Sequence, residues 1–227
     1  MSRSQSLSKS QLDRLGSRLR NEPNPADEDL LILDQYRELF VEITRSVVNT
    51  LETLTTYKVV SRPKSVPSIV AKLRRRQPAR LSAIQDMAGA RIIVPDRKQQ
   101  DELVARIANR YPGATVEDKR ARPSFGYRAV HVITFCPLPF EIQVRTQLQH
   151  AWAQLSERLA DRYGFELKYG GGPEVVRSAL LEYAEFGAAA EEIVSGAQTG
   201  KPIQEALLRM QYYVARMPEI LEAVRVE

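Results

Sequence analysis

Two carboxylates and a run of cations in the middle of the chain have the residue types needed for chemistry on phosphate groups. Asp86 stands in the segment Gln85–Arg91, and Glu141 begins the segment Glu141–Thr146. Carboxylates can hold Mg²⁺ and cations can hold phosphates, so this combination is typical of metal-assisted phosphoryl chemistry. The cations lie upstream and no acid stands among them: Arg62, Lys64, Lys72, Arg74, Arg75, Arg76 and Arg80. A solvated helix face is the ordinary explanation of a charge run, but the lack of any compensating acid favours a phosphate-binding surface.

The segment that begins with Glu141 has the pattern of a strand with one polar face. Glu141, Gln143 and Arg145 occupy alternate positions, so strand geometry places them on the same face. Alternation alone fits a pocket wall and an outward-facing edge face with a cross-strand ion pair equally well. The segment Gly126–His131 adds an aromatic ring, Tyr127, that could stack on a base, and this favours the pocket.

Hydrophobic periodicity predicts an α+β fold with a mixed sheet of about four or five strands between helices. Residues 1–24 are expected to be loosely ordered, apart from a short amphipathic stretch at Leu12, Leu15 and Leu19. The remaining predicted elements are a long helix that starts at Asn24-Pro25, a basic helix Val66–Arg76, strands Ala88–Val94, Ala129–Phe135 and Phe140–Arg145, and helices Asp101–Tyr111, Thr146–Asp161, Glu174–Ala197 and Ile203–Val226. The last two helices either complete the core or form a partner surface, and core packing is favoured for Glu174–Ala197.

Composition excludes several classes of site. The chain has 227 residues with 33 Lys+Arg and 28 Asp+Glu, a net charge of +5, and its pI near 9.4 fits a polyanionic partner. The single Cys136 excludes a disulfide framework and a cysteine-built zinc site, and two histidines are too few for a His-rich metal cage. We expect Cys136 and Trp152 to be buried core residues. There is no bilayer-length apolar run and no signal-peptide core, so the sequence predicts a cytoplasmic protein that does not contact membranes.

Several separate motifs, taken in order and spacing, resemble the synthetase domain of the RelA/SpoT alarmone family. The resemblance covers about Tyr57 to Tyr163 and implies a nucleotidyltransferase-like synthetase core at 57–169, preceded by a polar segment and helix at 1–56 and followed by helices at 170–227. No trace of the family's His-Asp hydrolase domain is found, so a stand-alone small synthetase is expected. The motifs are Arg62-x-Lys64-Ser65, Lys72, Asp86–Arg91, Gly126–His131 and Glu141–Thr146.

This resemblance implies ATP-dependent pyrophosphate transfer, in which the β,γ-pyrophosphoryl group of ATP moves to a ribose 3′-hydroxyl and AMP is released. Asp86 would be a Mg²⁺ ligand, and Glu141 would be a second ligand or the base that accepts the hydroxyl proton. On the donor side, the resemblance implies that Arg62, Lys64 and Lys72 bind the ATP phosphates, that Arg62 also stacks on adenine, and that Arg91 braces the metal and phosphate site. On the acceptor side, it implies that Tyr127 stacks on the acceptor base and that His131 and Gln143 orient the acceptor.

The loop before Tyr127 departs from the nucleotide-using members, which usually carry a Lys and an Asn there. Pro123 and Phe125 stand in their places. The segments Ser8–Gly16 and Leu148–Ala153 look similar to toxic stand-alone members, which include phage- or prophage-borne toxins that pyrophosphorylate the 3′ end of tRNA. We therefore expect the 3′-CCA end of tRNA as acceptor, translation inhibition within a toxin–antitoxin or anti-phage system, and an antitoxin protein as a partner. The expected contacts to the tRNA backbone are Lys9, Arg14, Arg74, Arg75 and Arg76.

Two other functions compete with this one. The first is a small synthetase that makes (p)ppGpp or (p)ppApp from GDP, GTP or adenine nucleotides. Under either function the sequence is compatible with an oligomer. The second is a non-catalytic nucleic-acid-binding module that uses only the basic run Arg62–Arg80. The module is disfavoured because Asp86 and Glu141 beside such a surface would repel phosphate.

Overall fold

The structure is a computed structural model that describes residues 7–75, 80–200 and 202–224. Within those ranges the chain forms one five-stranded sheet with strand order β1-β2-β5-β4-β3. The strands are β1 Val59–Ser61, β2 Gly89–Val94, β3 Thr115–Asp118, β4 Val130–Phe135 and β5 Pro139–Thr146. The helices are α1 Lys9–Asn21, α2 Asp27–Leu54, α3 Val66–Arg75, α4 Arg97–Arg110, α5 Gln147–Tyr163, α6 Glu174–Thr199 and α7 Gln204–Val224. The prediction of an α+β fold with a mixed sheet is confirmed.

The amphipathic stretch predicted at Leu12, Leu15 and Leu19 is part of a helix, α1, that is longer than expected and orders most of the described N-terminal segment. Ser8 caps α1 through a capping box, in which its side chain accepts from the Gln11 amide and the Gln11 side chain accepts from the Ser8 amide. The leucines of the amphipathic stretch are buried on one face of α1, and this face packs against α3. Gly16 permits a close approach, because a Cβ there would lie 2.8 Å from Leu81 Cβ.

Helix α2 begins two residues after the predicted start. Ala26 is its extended N-cap residue, and Asp27, Glu28 and Asp29 occupy the first turn, where they complement the helix dipole. The Asp29 carboxylate also pairs with Arg18 of α1 at 2.7 Å. Pro25 therefore lies before the helix rather than at its first position.

The residues divide into two compact units, which we describe separately. The first unit comprises residues 1–91, 111–115 and 133–142, and the second comprises residues 92–110, 116–132 and 143–227. The first unit therefore contains α1, α2, β1 and α3, and the second contains α4 to α7.

Helices α5 and α6 of the second unit, together with Leu167 between them, form a hydrophobic cluster that includes Trp152. Its ring is 7% exposed and its Nε1 donates to the Leu180 carbonyl of α6 at 2.8 Å, so the prediction of a core tryptophan is confirmed. Val176 and Leu180 are also buried, and α6 thus completes the core as expected. Helix α7 keeps Leu208 and Tyr212 exposed.

Two expectations about composition are also tested. Cys136 is half-buried rather than fully buried. No helix in the described ranges combines the length and the apolar character that crossing a bilayer requires.

Candidate active site

In the first unit, one carboxylate is held between two lysines. Lys64 Nζ lies 2.7 Å from Asp86 Oδ2, and Lys72 Nζ lies 2.7 Å from Asp86 Oδ1. Lys72 belongs to α3, whereas Lys64 belongs to the segment after β1. The backbone amide of Lys64 donates to the Met87 carbonyl at 3.0 Å. The three side chains are between 16% and 23% exposed. Two ammonium groups against one carboxylate leave the cluster with a charge of 2 − 1 = +1, which suits an anionic ligand.

Electrostatics keep Asp86 ionised despite its burial. Desolvation works to raise its pKa, but the charges of Lys72 and Lys64, together with the hydrogen bonds that they donate, outweigh it. The pKa falls from 3.8 to about 2. Asp86 is therefore a carboxylate at neutral pH.

This shift predicts an acid-dependent contribution to folding. Because the folded pKa lies below the unfolded value, ionised Asp86 contributes stability above pH 4, and the contribution is lost as the pH falls from about 4 to about 2. The shift corresponds to about 2 kcal/mol. We expect Asp86→Asn to unfold at lower urea concentration than wild type at pH 6, with the difference shrinking by pH 3. A difference that stays constant across this range would contradict the pairing.

Glu141 lies in the first unit, beside the segment that carries Asp86. Its amide donates to the Ala88 carbonyl at 3.2 Å, and its side chain is half-buried at the start of β5. A Cβ on Gly89 would lie only 2.4 Å from the Glu141 carbonyl oxygen. Glycine at this position therefore lets β2 and β5 approach closely enough to bring the two carboxylate-bearing segments side by side.

We expect Gly89→Ala to destabilise the fold by about 2 kcal/mol, because a backbone oxygen cannot move aside as a flexible side chain would. The matched control is Gly187→Ala in α6, where a Cβ meets nothing within 4 Å. That substitution should stabilise the protein by up to about 1 kcal/mol through helix propensity. Urea unfolding of both variants measures the contrast, and equal stabilities would contradict the close approach at Gly89.

The second unit contains a buried polar cluster around Tyr127. Tyr127 Oη lies 2.7 Å from His131 Nε2, and Arg145 Nη2 donates to Tyr127 Oη at 2.9 Å and to Gln143 Oε1 at 3.0 Å. His131, Gln143 and Arg145 are at most 6% exposed. The structure thus brings together the three residues assigned to the acceptor, and it buries the polar face of β5 instead of exposing it as an edge.

A tight turn precedes Tyr127. The Tyr127 amide donates to the Ser124 carbonyl at 3.0 Å, and Phe125 and Gly126 both have left-handed φ angles, +52° and +88°. The left-handed conformation is costly for a phenylalanine. Its half-exposed ring lies against Gly170, where an added Cβ would be 2.2 Å from a ring carbon. Phe125, the unusual residue of the loop before Tyr127, therefore occupies a strained and partly exposed position.

The remaining predicted cations have different environments. Arg62 is exposed and Arg91 is half-buried in the first unit. Arg74 Nη2 donates to the carbonyls of Glu22 and Pro23, after the end of α1, at 2.5 and 3.0 Å. The other cations assigned to the tRNA backbone, Lys9, Arg14 and Arg75, are exposed, while Arg76 lies outside the described residues.

Comparison with known proteins bears on the fold and on the motifs that contribute these two clusters. Residues 61–164 match the family model described as "Region found in RelA / SpoT proteins". The match agrees with the resemblance that the sequence predicted, and it includes every residue assigned to ATP, metal and acceptor.

Solved structures share the fold. Small alarmone synthetase 1 from Bacillus subtilis, in the structure bound to its product pppGpp, has a TM-score of 0.60 and 24% identity over 73% of this chain and 97% of its own. A GTP pyrophosphokinase family protein from Streptococcus pneumoniae has a TM-score of 0.58 and 24% identity over 80% of this chain and 97% of its own. The chain thus has the fold of the small alarmone synthetases.

Curated relatives match a shorter stretch. Uncharacterized protein Rv1366 of Mycobacterium tuberculosis is 42% identical over 128 residues, which are 54% of this chain and 46% of that protein. Uncharacterized protein Mb1401 of Mycobacterium bovis matches to the same extent. The chain spans about half the length of these relatives.

Proposed function

We propose that this protein is a pyrophosphokinase that moves the β,γ-pyrophosphoryl group of ATP to a ribose 3′-hydroxyl. The Lys64–Asp86–Lys72 cluster carries the proposal, because its two lysines and its surplus positive charge lie within a RelA/SpoT region. A related fold, that of small alarmone synthetase 1 from Bacillus subtilis, has been solved bound to AMPCPP. Such a ligand offers the polyphosphate that a cationic cluster binds.

On the donor side, Lys64 and Lys72 exchange one anionic partner for another. In the absence of nucleotide, Asp86 neutralises part of their charge and holds both ammonium groups in place. A triphosphate competes for the same ammonium groups with more negative charge, and Arg62 at the exposed end of β1 adds a third cation. The carboxylate oxygens of Asp86 then become available as ligands.

The donor set fits a magnesium ion. No group of three or more His, Cys, Asp or Glu side chains in the described ranges is placed to hold a metal. Magnesium, however, is usually held by one or two carboxylates together with substrate phosphates and water, and Asp86 and Glu141 supply those carboxylates. When bound, the ion would neutralise charge on the phosphates.

Glu141 is the proposed base. It accepts the proton of the ribose 3′-hydroxyl, and the oxygen then bonds to the β-phosphorus of ATP while the bond from that phosphorus to the α–β bridging oxygen breaks. The bridging oxygen leaves with AMP. Arg91 is assigned to bracing this phosphate site.

On the acceptor side, we propose that the 3′-terminal adenosine of tRNA stacks on Tyr127, with His131 and Gln143 orienting it. Phe125 and Pro123 support this acceptor, since they replace the residues that nucleotide-using members present. The exposed cations Lys9, Arg14 and Arg75 would grip the tRNA backbone. The biological role would be that of a translation-inhibiting toxin neutralised by an antitoxin protein.

The alternative is an alarmone synthetase that uses GDP, GTP or an adenine nucleotide as acceptor. It is supported by the Bacillus subtilis relative that was solved bound to pppGpp. Incubation with γ-labelled ATP and, in turn, deacylated tRNA, GDP, GTP or ATP separates the two functions. Label in tRNA supports the proposal, whereas efficient label in a free nucleotide with none in tRNA contradicts it.

Charge reversal of the proposed tRNA surface should reduce tRNA modification selectively. We expect Arg14→Glu with Arg75→Glu to lower label transfer to tRNA about tenfold and to flatten its salt dependence by about 0.7 to 0.9 per lost phosphate contact. Reaction with any free nucleotide should be spared. Arg74 is left intact because its bonds to the chain after α1 make it a folding residue.

The matched control for this pair reverses Lys98 and Arg106, two exposed cations of α4. Both double variants change the net charge of the protein by the same amount, so they differ only in where the reversed charges lie. Equal losses in both double variants would show that bulk charge, not a tRNA surface, sets the rate.

A further inference from the structure

Arg145 is a buried cation that forms no ion pair with any described residue. Its side chain is 3% exposed, yet none of the carboxylates in the described part of the chain forms an ion pair with it. Its Nε and Nη1 atoms are buried and have no hydrogen-bond partner among the described residues. The contacts of the guanidinium are made by Nη2 and by one face of its plane.

A buried charge without a counterion opposes folding, and buried donors are normally satisfied. Arg120 in the same unit shows the usual solution, because its half-buried side chain pairs with Asp118 and Asp101 at 2.6 and 2.7 Å. A residue that costs stability in this way is expected at a functional site.

The two groups that Arg145 does contact both belong to the acceptor cluster. Its Nη2 bridges Tyr127 Oη and Gln143 Oε1, and its guanidinium carbon lies 5.1 Å from the centroid of the Tyr127 ring. We infer that Arg145 is a positioning residue, which fixes the plane of the Tyr127 ring and the side-chain amide of Gln143 for the acceptor. The inference rests on the proposed function, which assigns those two residues to the acceptor.

The contacts of Arg145 restrict both a face of the Tyr127 ring and the hydrogen bonds of its hydroxyl. Because the guanidinium lies over the Tyr127 ring, the face that it covers is not available to an acceptor base. Because Nη2 can only donate, Tyr127 Oη accepts there and can give its own hydrogen to His131 Nε2. The ring is thus held at its hydroxyl and across one face before any acceptor arrives.

A double-mutant cycle tests the inference through binding as well as turnover. The variants are Arg145→Met, Tyr127→Phe and the double substitution, with equilibrium binding of deacylated tRNA, GDP, GTP and ATP measured for each. We expect Arg145→Met to weaken acceptor binding about tenfold and to leave ATP binding within about twofold. The double variant should bind the acceptor no more weakly than Arg145→Met, because both changes break the same link.

Two further variants guard against a purely structural effect. Arg120→Met should lower Tm but leave acceptor binding unchanged. Arg145→Lys keeps the charge but lacks the planar fork, so it should also weaken acceptor binding. If Arg145→Met folds poorly, the binding data for these two variants still test the inference.

Losses that multiply in the double variant would overturn the inference, since Arg145 would then act independently of the Tyr127 hydroxyl. Equal weakening of ATP and acceptor binding, or no binding of any acceptor to the wild-type protein, would overturn it as well. The proposed function fails differently, by the absence of label transfer from ATP. Acceptor binding that depends on Arg145 would then still identify an acceptor cluster.

Discussion

Glu141→Gln is expected to lower transfer of label from ATP by about 10²-fold or more, with Tm unchanged. The amide keeps the size and shape of the side chain but can neither accept the hydroxyl proton nor serve as an anionic metal ligand. The fold should tolerate the change because Glu141 is half-buried at the start of β5 and its backbone makes the contact to Ala88. Initial rates with labelled ATP, together with thermal unfolding of the same preparation, measure both quantities.

The matched control is Glu102→Gln, an exposed glutamate of α4, which should retain full activity. A Glu141→Gln protein with turnover near that of wild type would remove Glu141 from the mechanism. Asp86→Asn should lose activity to a similar degree, but it also disturbs the pairing with Lys64 and Lys72.

Replacement of Tyr127 with alanine is expected to weaken acceptor use by about 10- to 100-fold, while ATP binding changes little. Stacking of a base on an aromatic ring contributes roughly 1–3 kcal/mol by this kind of truncation. The loss should lie toward the upper end, because the alanine also removes the hydroxyl that accepts from Arg145 and contacts His131. Steady-state kinetics with each substrate varied in turn separate the two effects.

Tyr127→Phe is the companion variant, since it keeps the ring and removes only the hydroxyl. It should lose less acceptor affinity than the alanine variant does. A rise in the KM for ATP without a change for the acceptor would place the ring on the donor side and contradict its assignment.

The sequence predicts the type and approximate bounds of the long elements because their apolar positions repeat at helix or strand spacing. It misses β1 and β3, which have only three and four residues and are mostly exposed, so no hydrophobic pattern marks them. The sequence marks the amphipathic stretch at Leu12, Leu15 and Leu19 but misses the full extent of α1. The close approach of Gly16 to Leu81, a tertiary contact of this helix, is not contained in a local pattern.

The candidate site is predictable to a similar degree. Motif order identifies Asp86, Glu141 and Tyr127, and strand alternation puts Arg145 on the correct face. The pairing of both lysines with Asp86 depends on residues 14 and 22 positions away, and local spacing does not reveal it. Nor does any pattern show that Arg145 has no carboxylate partner among the described residues, because an unpaired charge is a property of the assembled fold.

In pyrophosphate transfer the β- and γ-phosphates of ATP leave together, and the fate of α- and γ-labelled ATP tests this most directly. With deacylated tRNA or a free nucleotide as acceptor, γ-label should appear in the acceptor, and α-label should appear in AMP in equal amount. The Glu141→Gln protein should show neither product above about one part in 10² of wild type. Release of α-label as ADP, or of γ-label as inorganic phosphate with an unlabelled acceptor, would contradict pyrophosphate transfer.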